Sequence, residues 1–263
     1  MLHYKNTNTS TIFEDIFGTP QHLEFLRFSI LSLRSGEKYS IRYNNEEFAL
    51  VPVFGSFNAT VDGNSMGLVE RIGNVFDSAP DVLYVSRMSE VAVEATTDSK
   101  IAVCRSVSSG AHEPFIIRSK DVKIEFRGKD QWKRTVRNII VDNVNGHVDH
   151  LVLGETINDP GQWSGYPPHK HEKDNPPSEL KFEEIYYFDF KPVNGFGIQV
   201  HYKSTLEEDR GYLIRSGDAF AIPDGYHPVV VAGGYRMYYL WFMSGPGGRK
   251  LKPYIDPEFS WVE

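Results

Sequence analysis

An all-β protein built as two barrel-like units is the fold class that the sequence predicts, and three observations carry that expectation. Short β-branched and aromatic runs alternate with polar residues at period two along the whole chain. The 22 glycines and 15 prolines are scattered between those runs, as turn punctuation would be. No segment sustains a 3.6-residue apolar period, so helices should be few and short, with one expected around residues 11–17.

The elements follow in order. LEFLRFSILSL and EKYSIRYN interleave apolar and polar positions, and EFALVPVFGSFNATVDG closes on a glycine turn. DVLYVSR, SEVAVEAT and SKIAVCRSV complete the strands of the first half. The second half reads as VKIEFRG, RTVRNIIVDN, HVDHLVLGETI, FEEIYYFDFKP, GFGIQVHYKS, RGYLIRSGDAFAIP and HPVVVAGGYRMYYLWFMSG. Asn145-Gly146, flanked by strand patterns, is a hairpin signal. About a dozen strands at regular spacing point to sandwiches or barrels. Both halves share a grammar of strand, glycine turn and strand, so two copies of one unit are expected, residues 1–118 and 119–263, divided after SVSSGAHEPF.

Composition narrows the function. A net charge of −7 and the absence of any long basic run argue against a nucleic-acid partner. Cys104 is the single cysteine, so no internal disulfide forms and a reducing compartment fits; it reads as buried packing. MLHYKNTNTSTIFED lacks the apolar core of a secretory signal, and no apolar run reaches the roughly 18 residues that span a bilayer. A cytoplasmic protein with no membrane partner is therefore expected, and a homo-oligomer is allowed for. No G-x-G-x-x-G motif follows a strand and opens a helix, so no dinucleotide site is indicated.

The stretch PPHKHEKDNPPSELKFEEIYYF carries the chemistry. Residues i and i+2 of a strand share a face, so His169 and His171 should project together, stiffened by Pro167 and Pro168. A paired H-x-H is a common way to offer two imidazoles to one divalent ion. In the following strand Glu184 shares a face with Tyr186 and Phe188, and Glu183 shares the other with Ile185 and Tyr187. A buried carboxylate is costly unless paired or metal-bound, so one of these is a ligand candidate and the other should be solvated or salt-bridged. Pro223-x-Gly225 then delivers His227 as a third imidazole. Glu172 and Glu179 are weaker carboxylate candidates. His147 and His150 read as surface residues beside a turn, and His3, His22 and His112 are isolated, which leaves the first unit as a scaffold without ligands.

H-x-H, then Glu, then Gly217-x5-Pro223-x-Gly225 and His227, resembles the paired motifs of the cupin superfamily, with EKDNPPSELKFE as an inserted loop between His171 and Glu184. That resemblance implies a bicupin of two jelly-roll-like barrels. A narrower resemblance spans nearly the whole chain: GQWSGYPPHKHE, EEIYYF, GFGIQ, IPDGYHPVVVAGGY, SGPGGR and DPEFSWV look like the 5-deoxy-glucuronate isomerase family of inositol breakdown. The chain is similar, more distantly, to the uronate ketol-isomerase of pectin breakdown. By resemblance the metal ligands are His169, His171, Glu184 and His227. The chain departs from the family after GFGIQ, where Val200 and His201 stand in place of a common arginine, and in the unusually basic GKDQWKRTVRNII.

The resemblance implies an aldose–ketose isomerase acting on a small sugar acid, 5-deoxy-glucuronate, to give 5-dehydro-2-deoxy-gluconate through an enediolate stabilised by one divalent metal ion. Zn, Mn and Fe all suit three imidazoles and a carboxylate. Tyr186 and Lys170 are the candidate proton-transfer residues. Gln199, His201 and Arg249 are candidate substrate contacts, with Arg134, Arg137, Arg215 and Arg236 as further partners for the substrate carboxylate. Two other readings keep the same site: an iron-dependent cupin oxygenase and a non-catalytic sugar-binding cupin.

Overall fold

A computed structural model describes residues 2–6, 11–19, 23–203 and 209–262. The expected alternation is realised in Glu90–Ala95, where Glu90, Ala92 and Glu94 are exposed and Val91, Val93 and Ala95 are buried. Among the described residues the only helices are short 3-10 turns, such as Asp142–Val144 and Pro257–Val262. None is long and apolar enough to cross a membrane.

Strands from the first half form one branched sheet. Its main path runs Phe115–Ile117, Val82–Val85, Glu46–Val61, Ser99–Val107, Leu26–Leu33 and Phe13–Phe17. The long strand Glu46–Val61 carries a register irregularity between Pro52 and Phe54, beyond which it pairs with Asn64–Arg71 and Glu90–Ala95 instead. Strands of the second half form a seven-stranded sheet ordered His3–Tyr4, Ala219–Ile222, Glu183–Lys191, Arg236–Ser244, Val152–Asn158, Arg134–Ile140 and Lys123–Arg127. A four-stranded sheet of Trp163–Ser164, Val229–Val231, Gly197–His201 and Arg210–Ile214 packs against it. Tyr186, Phe188, Phe220, Val229, Val231 and Ile214 fill the space between the two sheets. This all-β, jelly-roll-like construction has the predicted class, but the sheets face one another without closing into continuous barrels.

Two local expectations fail. Residues 11–17 hold no helix: Phe13–Phe17 is a strand paired with Leu26–Leu33. Phe13 stacks on Tyr39, and Asp15 accepts hydrogen bonds from Ser29 and Arg105, so tertiary partners outweigh a weak local preference. Asn145-Gly146 is not a two-residue hairpin turn, although the strands it joins, Arg134–Ile140 and Val152–Asn158, are antiparallel neighbours. It lies in a longer connection containing the 3-10 turn Asp142–Val144 and an Asn145–Val148 bridge. Cys104 is buried as expected. His3 is not isolated: its strand joins the second-half sheet and its ring lies 3.0 Å from Asp218. His147 is exposed and His150 half-buried, while His22 lies outside the described residues.

The two halves meet through a shared core that includes Phe28, Ala49, Val51, Ile185, Tyr187, Leu240 and Phe242. Glu183, expected to be solvated or salt-bridged, is neither. It is buried and accepts the backbone N–H groups of Glu24, Phe25 and Leu26 at 2.6–3.2 Å. Glu47 does the reverse, accepting those of Asp149, His150 and Leu151 at 2.7–2.9 Å. Their register partners are Ser106 for Glu47 and Ser244 for Glu183, and the two serine hydroxyls touch at 2.7 Å. In this reciprocal arrangement Phe48 stands where the second half has Glu184. Phe48 packs there with Leu31, Leu50, Phe57 and Val103 in one apolar cluster of the first half.

Candidate metal centre

Two loops and one strand bring the donors together. His169 sits in the two-residue strand His169–Lys170, which pairs with Tyr254–Ile255 near the C-terminus, and His171 follows it. Glu184 points, with Tyr186, between the two sheets of the second half. His227 leaves the Pro223–Gly225 turn, where Gly225 takes a φ of 75° that few residues with a Cβ adopt. The imidazole centroids of His169 and His171 lie 5.0 and 4.9 Å from that of His227. Ligand-capable atoms of His171, Glu184 and His227 all fall within 4.8 Å of one another.

Each imidazole is oriented by its own backbone carbonyl. Nδ1–H donates to Pro167 O from His169 at 3.2 Å, to Phe182 O from His171 at 2.7 Å, and to Gly225 O from His227 at 2.9 Å. That tautomer leaves each ring's lone pair on Nε2, and the Glu184 Oε2 lies 3.2 Å from His171 Nε2 and 3.3 Å from His227 Nε2. His227 Nε2 is buried and makes no well-formed hydrogen bond. Three oriented imidazole donors, one carboxylate and an orphaned buried nitrogen fit a divalent cation.

The electrostatics favour that reading at His169, His227 and Glu184, while His171 leans toward an ion pair with Glu184. Burial, together with the neighbouring His227 and His171, pushes the His169 imidazolium down to about 3, so the ring is neutral near pH 7. Burial also lowers His227. At Glu184 burial would raise the carboxyl, but the adjoining His171 and His227 rings prevail and hold it at about 2. Burial would depress His171 too, yet its contact with Glu184 wins and the ring is shifted up.

A cavity of about 350 Å³ opens onto the cluster. Register explains its wall: Tyr186 lies opposite Trp241, Glu184 opposite Met243 and Thr156 opposite Tyr239, so one face of adjacent strands lines it. Gly154 faces Trp241 in the same ladder, and any Cβ there would strike the indole ring. Tyr186 and Tyr239 rings lie 4.6 Å apart, and Tyr239 hydrogen-bonds Ser164.

Of the other sequence candidates, the structure brings Tyr186 and Arg134 to the cavity and places Lys170, Gln199, His201 and Arg249 elsewhere. Lys170 is ion-paired with Glu172, its ammonium 5.5 Å from the Tyr226 ring centre, because consecutive strand residues point to opposite sides. Glu172 in turn accepts the Gly225 N–H at 3.0 Å, and Glu179 accepts the N–H groups of Glu172 and Lys173, so neither glutamate joins the cluster. Gln199 is buried behind His227, donating to its carbonyl oxygen at 2.9 Å. His201 packs beneath Gly225, with Nε2 2.8 Å from Asp224 O. These residues hold the turn that presents His227. Arg249 is bound to Leu151 O, Val141 O and Asn145. Arg127, Thr156, Tyr239, Trp241, Met243 and Lys252 line the cavity without having been singled out. The alternation Tyr239, Trp241, Met243 along one strand was the signal available for three of them.

The model of the KduI/IolB family matches residues 2–262. The chain belongs to the KduI/IolB family. A family relative named 5-deoxy-glucuronate isomerase, from Bacillus licheniformis, is 35% identical over 241 residues, 91% of this chain and 88% of the relative. A protein of the same name from Bacillus subtilis strain 168 is 34% identical over 257 residues, 97% of this chain and 94% of the relative. The crystal structure of an IolB-like protein from Salmonella typhimurium LT2 superposes with a TM-score of 0.92 at 29% identity, covering 100% of this chain and 99% of that one. A cupin 2 conserved barrel domain protein from Leptotrichia buccalis, 14% identical with a TM-score of 0.51 over 89% of this chain and 88% of that one, shares the fold. For this KduI/IolB chain, the cupin likeness read from H-x-H and Pro-x-Gly is thus matched in three dimensions.

Proposed function

We propose that this chain is a metal-dependent aldose–ketose isomerase that converts 5-deoxy-glucuronate to 5-dehydro-2-deoxy-gluconate in inositol breakdown. The observation that carries the reading is the convergence of His171, Glu184 and His227, with the His169 ring beside them, at one cavity in a chain aligned end to end with isomerase relatives. His169, His171, Glu184 and His227 would hold one divalent ion, with Zn, Mn and Fe all suited. Such an ion supplies Lewis-acid polarisation of a carbonyl and its neighbouring hydroxyl. The chain's own residues do the rest. The aromatic wall of Tyr186, Tyr239 and Trp241 confines a small sugar acid and limits water. Tyr186, buried on the Glu184 face and lining the cavity, would hold or move a proton between adjacent carbons.

Residues 1–118 and 119–263 are read as two equivalent units, a reading supported by the reciprocal Glu47 and Glu183 caps, with the first as scaffold and the strand His3–Tyr4 lent to the second. A cytoplasmic site of action suits a sugar-acid isomerase with one buried, unpaired cysteine.

Metal analysis of purified protein, followed by proton-exchange NMR with candidate aldehyde uronates, tests the function. The wild type should carry about one equivalent of metal and exchange the C2 proton of its substrate, and a variant with His169→Ala and His171→Ala should do neither. Metal retained in that variant removes the site. Oxygen consumption dependent on Fe(II), or tight uronate binding without turnover, replaces the isomerase by an oxygenase or a binding protein.

A further inference from the structure

Arg127 and Arg134 stand directly opposite each other in the antiparallel pairing of Lys123–Arg127 with Arg134–Ile140, and both line the cavity that holds the metal cluster. Like charges at opposed positions on one face destabilise a strand pair unless an anion lies between them. Among the described residues Glu125 is the one carboxylate that pairs with either arginine, and Asn138 Oδ1 accepts a further hydrogen bond from Arg127 at 3.3 Å. Glu125 accepts two hydrogen bonds from Arg127, at 2.9 and 2.7 Å, and none from Arg134. Among the described residues the one hydrogen bond that Arg134 makes goes to the Trp132 carbonyl at 3.0 Å, and the residue is half-buried. Its charge bears on the hydroxyls of both Tyr186 and Tyr239 in the cavity wall. The other arginines are engaged elsewhere: Arg137 with Glu155, Arg236 with Asp159, Arg215 against Phe196 and Arg249 with backbone carbonyls.

We infer that Arg134, seconded by Arg127, is the subsite for the carboxylate of the substrate. This rests on the sugar-acid reading above, and it gives the substrate a direction. The carboxylate sits at the arginine pair on the sheet edge, and the end that isomerises sits at the His–Glu cluster two strands further in from the neighbouring strand. A planar guanidinium suits a carboxylate with two parallel hydrogen bonds, which a lysine does not reproduce. Lys252, also at the cavity, adds positive potential without that geometry.

The test compares metal-loaded wild type with Arg134→Gln, Arg134→Lys and Arg127→Gln. Each is assayed with the uronate and with the corresponding neutral aldose, and by calorimetric binding of gluconate, a sugar acid with no aldehyde to isomerise. Arg134→Gln should keep its metal and lose roughly 10- to 150-fold in uronate kcat/KM and in gluconate affinity, the range for a charge-assisted contact. Its turnover of the neutral aldose should fall much less than its turnover of the uronate, and Arg134→Lys should recover only part of the uronate loss. Should Arg134→Gln fail to fold, Arg127→Gln, at an exposed position, decides: a weaker but measurable loss supports the subsite, and wild-type affinity for gluconate overturns it. Equal gluconate binding by wild type and Arg134→Gln also overturns it. A wild type that binds gluconate through Arg134 yet isomerises no uronate leaves the subsite standing and removes the isomerase.

Discussion

Glu155→Leu is the perturbation that most directly tests how the halves are joined. Glu155 is fully buried and accepts hydrogen bonds from Arg71 of the first half and, at 3.0 and 2.8 Å, from Arg137 and Tyr238 of the second. Both guanidinium groups are also buried, with side-chain exposures of 0% and 7%. They keep the carbonyls of Pro52, Ser78 and Val75 as partners, so the substitution removes charge compensation rather than every hydrogen bond. Two like charges would then lie in an apolar interior with no counter-ion. Removing one member of a buried ion pair costs about 3–5 kcal/mol. For a chain of this size that corresponds to a fall in Tm of roughly 6–20 °C. Adding Arg71→Met should recover much of the loss, because one guanidinium then remains, the same net charge as in the native cluster. Differential scanning calorimetry of the single and double variants reads both numbers. A shift below about 3 °C for Glu155→Leu, or no recovery in the double variant, refutes the reasoning.

Two further outcomes are expected. Tyr186→Phe should keep its metal while kcat falls by about 10²–10⁴, read as slowed proton exchange at the sugar carbon; unchanged exchange would take Tyr186 out of the proton path. Asp149 ties the 108–110 loop of the first half to the second: burial would raise its carboxyl, but N–H and O–H donors from Gly110 and Ser108, with His150 nearby, hold it below its ordinary 3.8. A depressed carboxyl stabilises above its unfolded value and loses that contribution as pH falls through the folded one. Wild type should therefore lose stability below about pH 4 more steeply than Asp149→Asn in acid urea titrations, and parallel curves would count against it.

Much of the candidate site was readable because it depends on short-range rules. His169 and His171 share a side by strand periodicity, Glu184 follows Tyr186 by the same rule, and Pro223-x-Gly225 announces the turn that carries His227. The residues misjudged were those whose sequence neighbours are not their spatial neighbours. Lys170 adjoins both histidines in sequence and points away from them, and Glu183 adjoins Glu184 yet caps a strand of the other half. Arg249 was chosen over Arg134 because nothing local ranks one arginine above another.

The all-β class, the absence of a disulfide and the histidines and glutamate of the candidate site were already present in the residue order, since alternation and turn chemistry act over a few residues, although about a dozen expected strands became 22 among the described residues, several of them two residues long. Tertiary pairing alone decided that Phe13–Phe17 is a strand, that Phe48 stands where the second half has Glu184, and that Arg127 lies beside Arg134 in the cavity wall. The physical reason is that register and sheet order bring together residues far apart in the chain, and the energy of those pairings is set by the partner, which no local window contains.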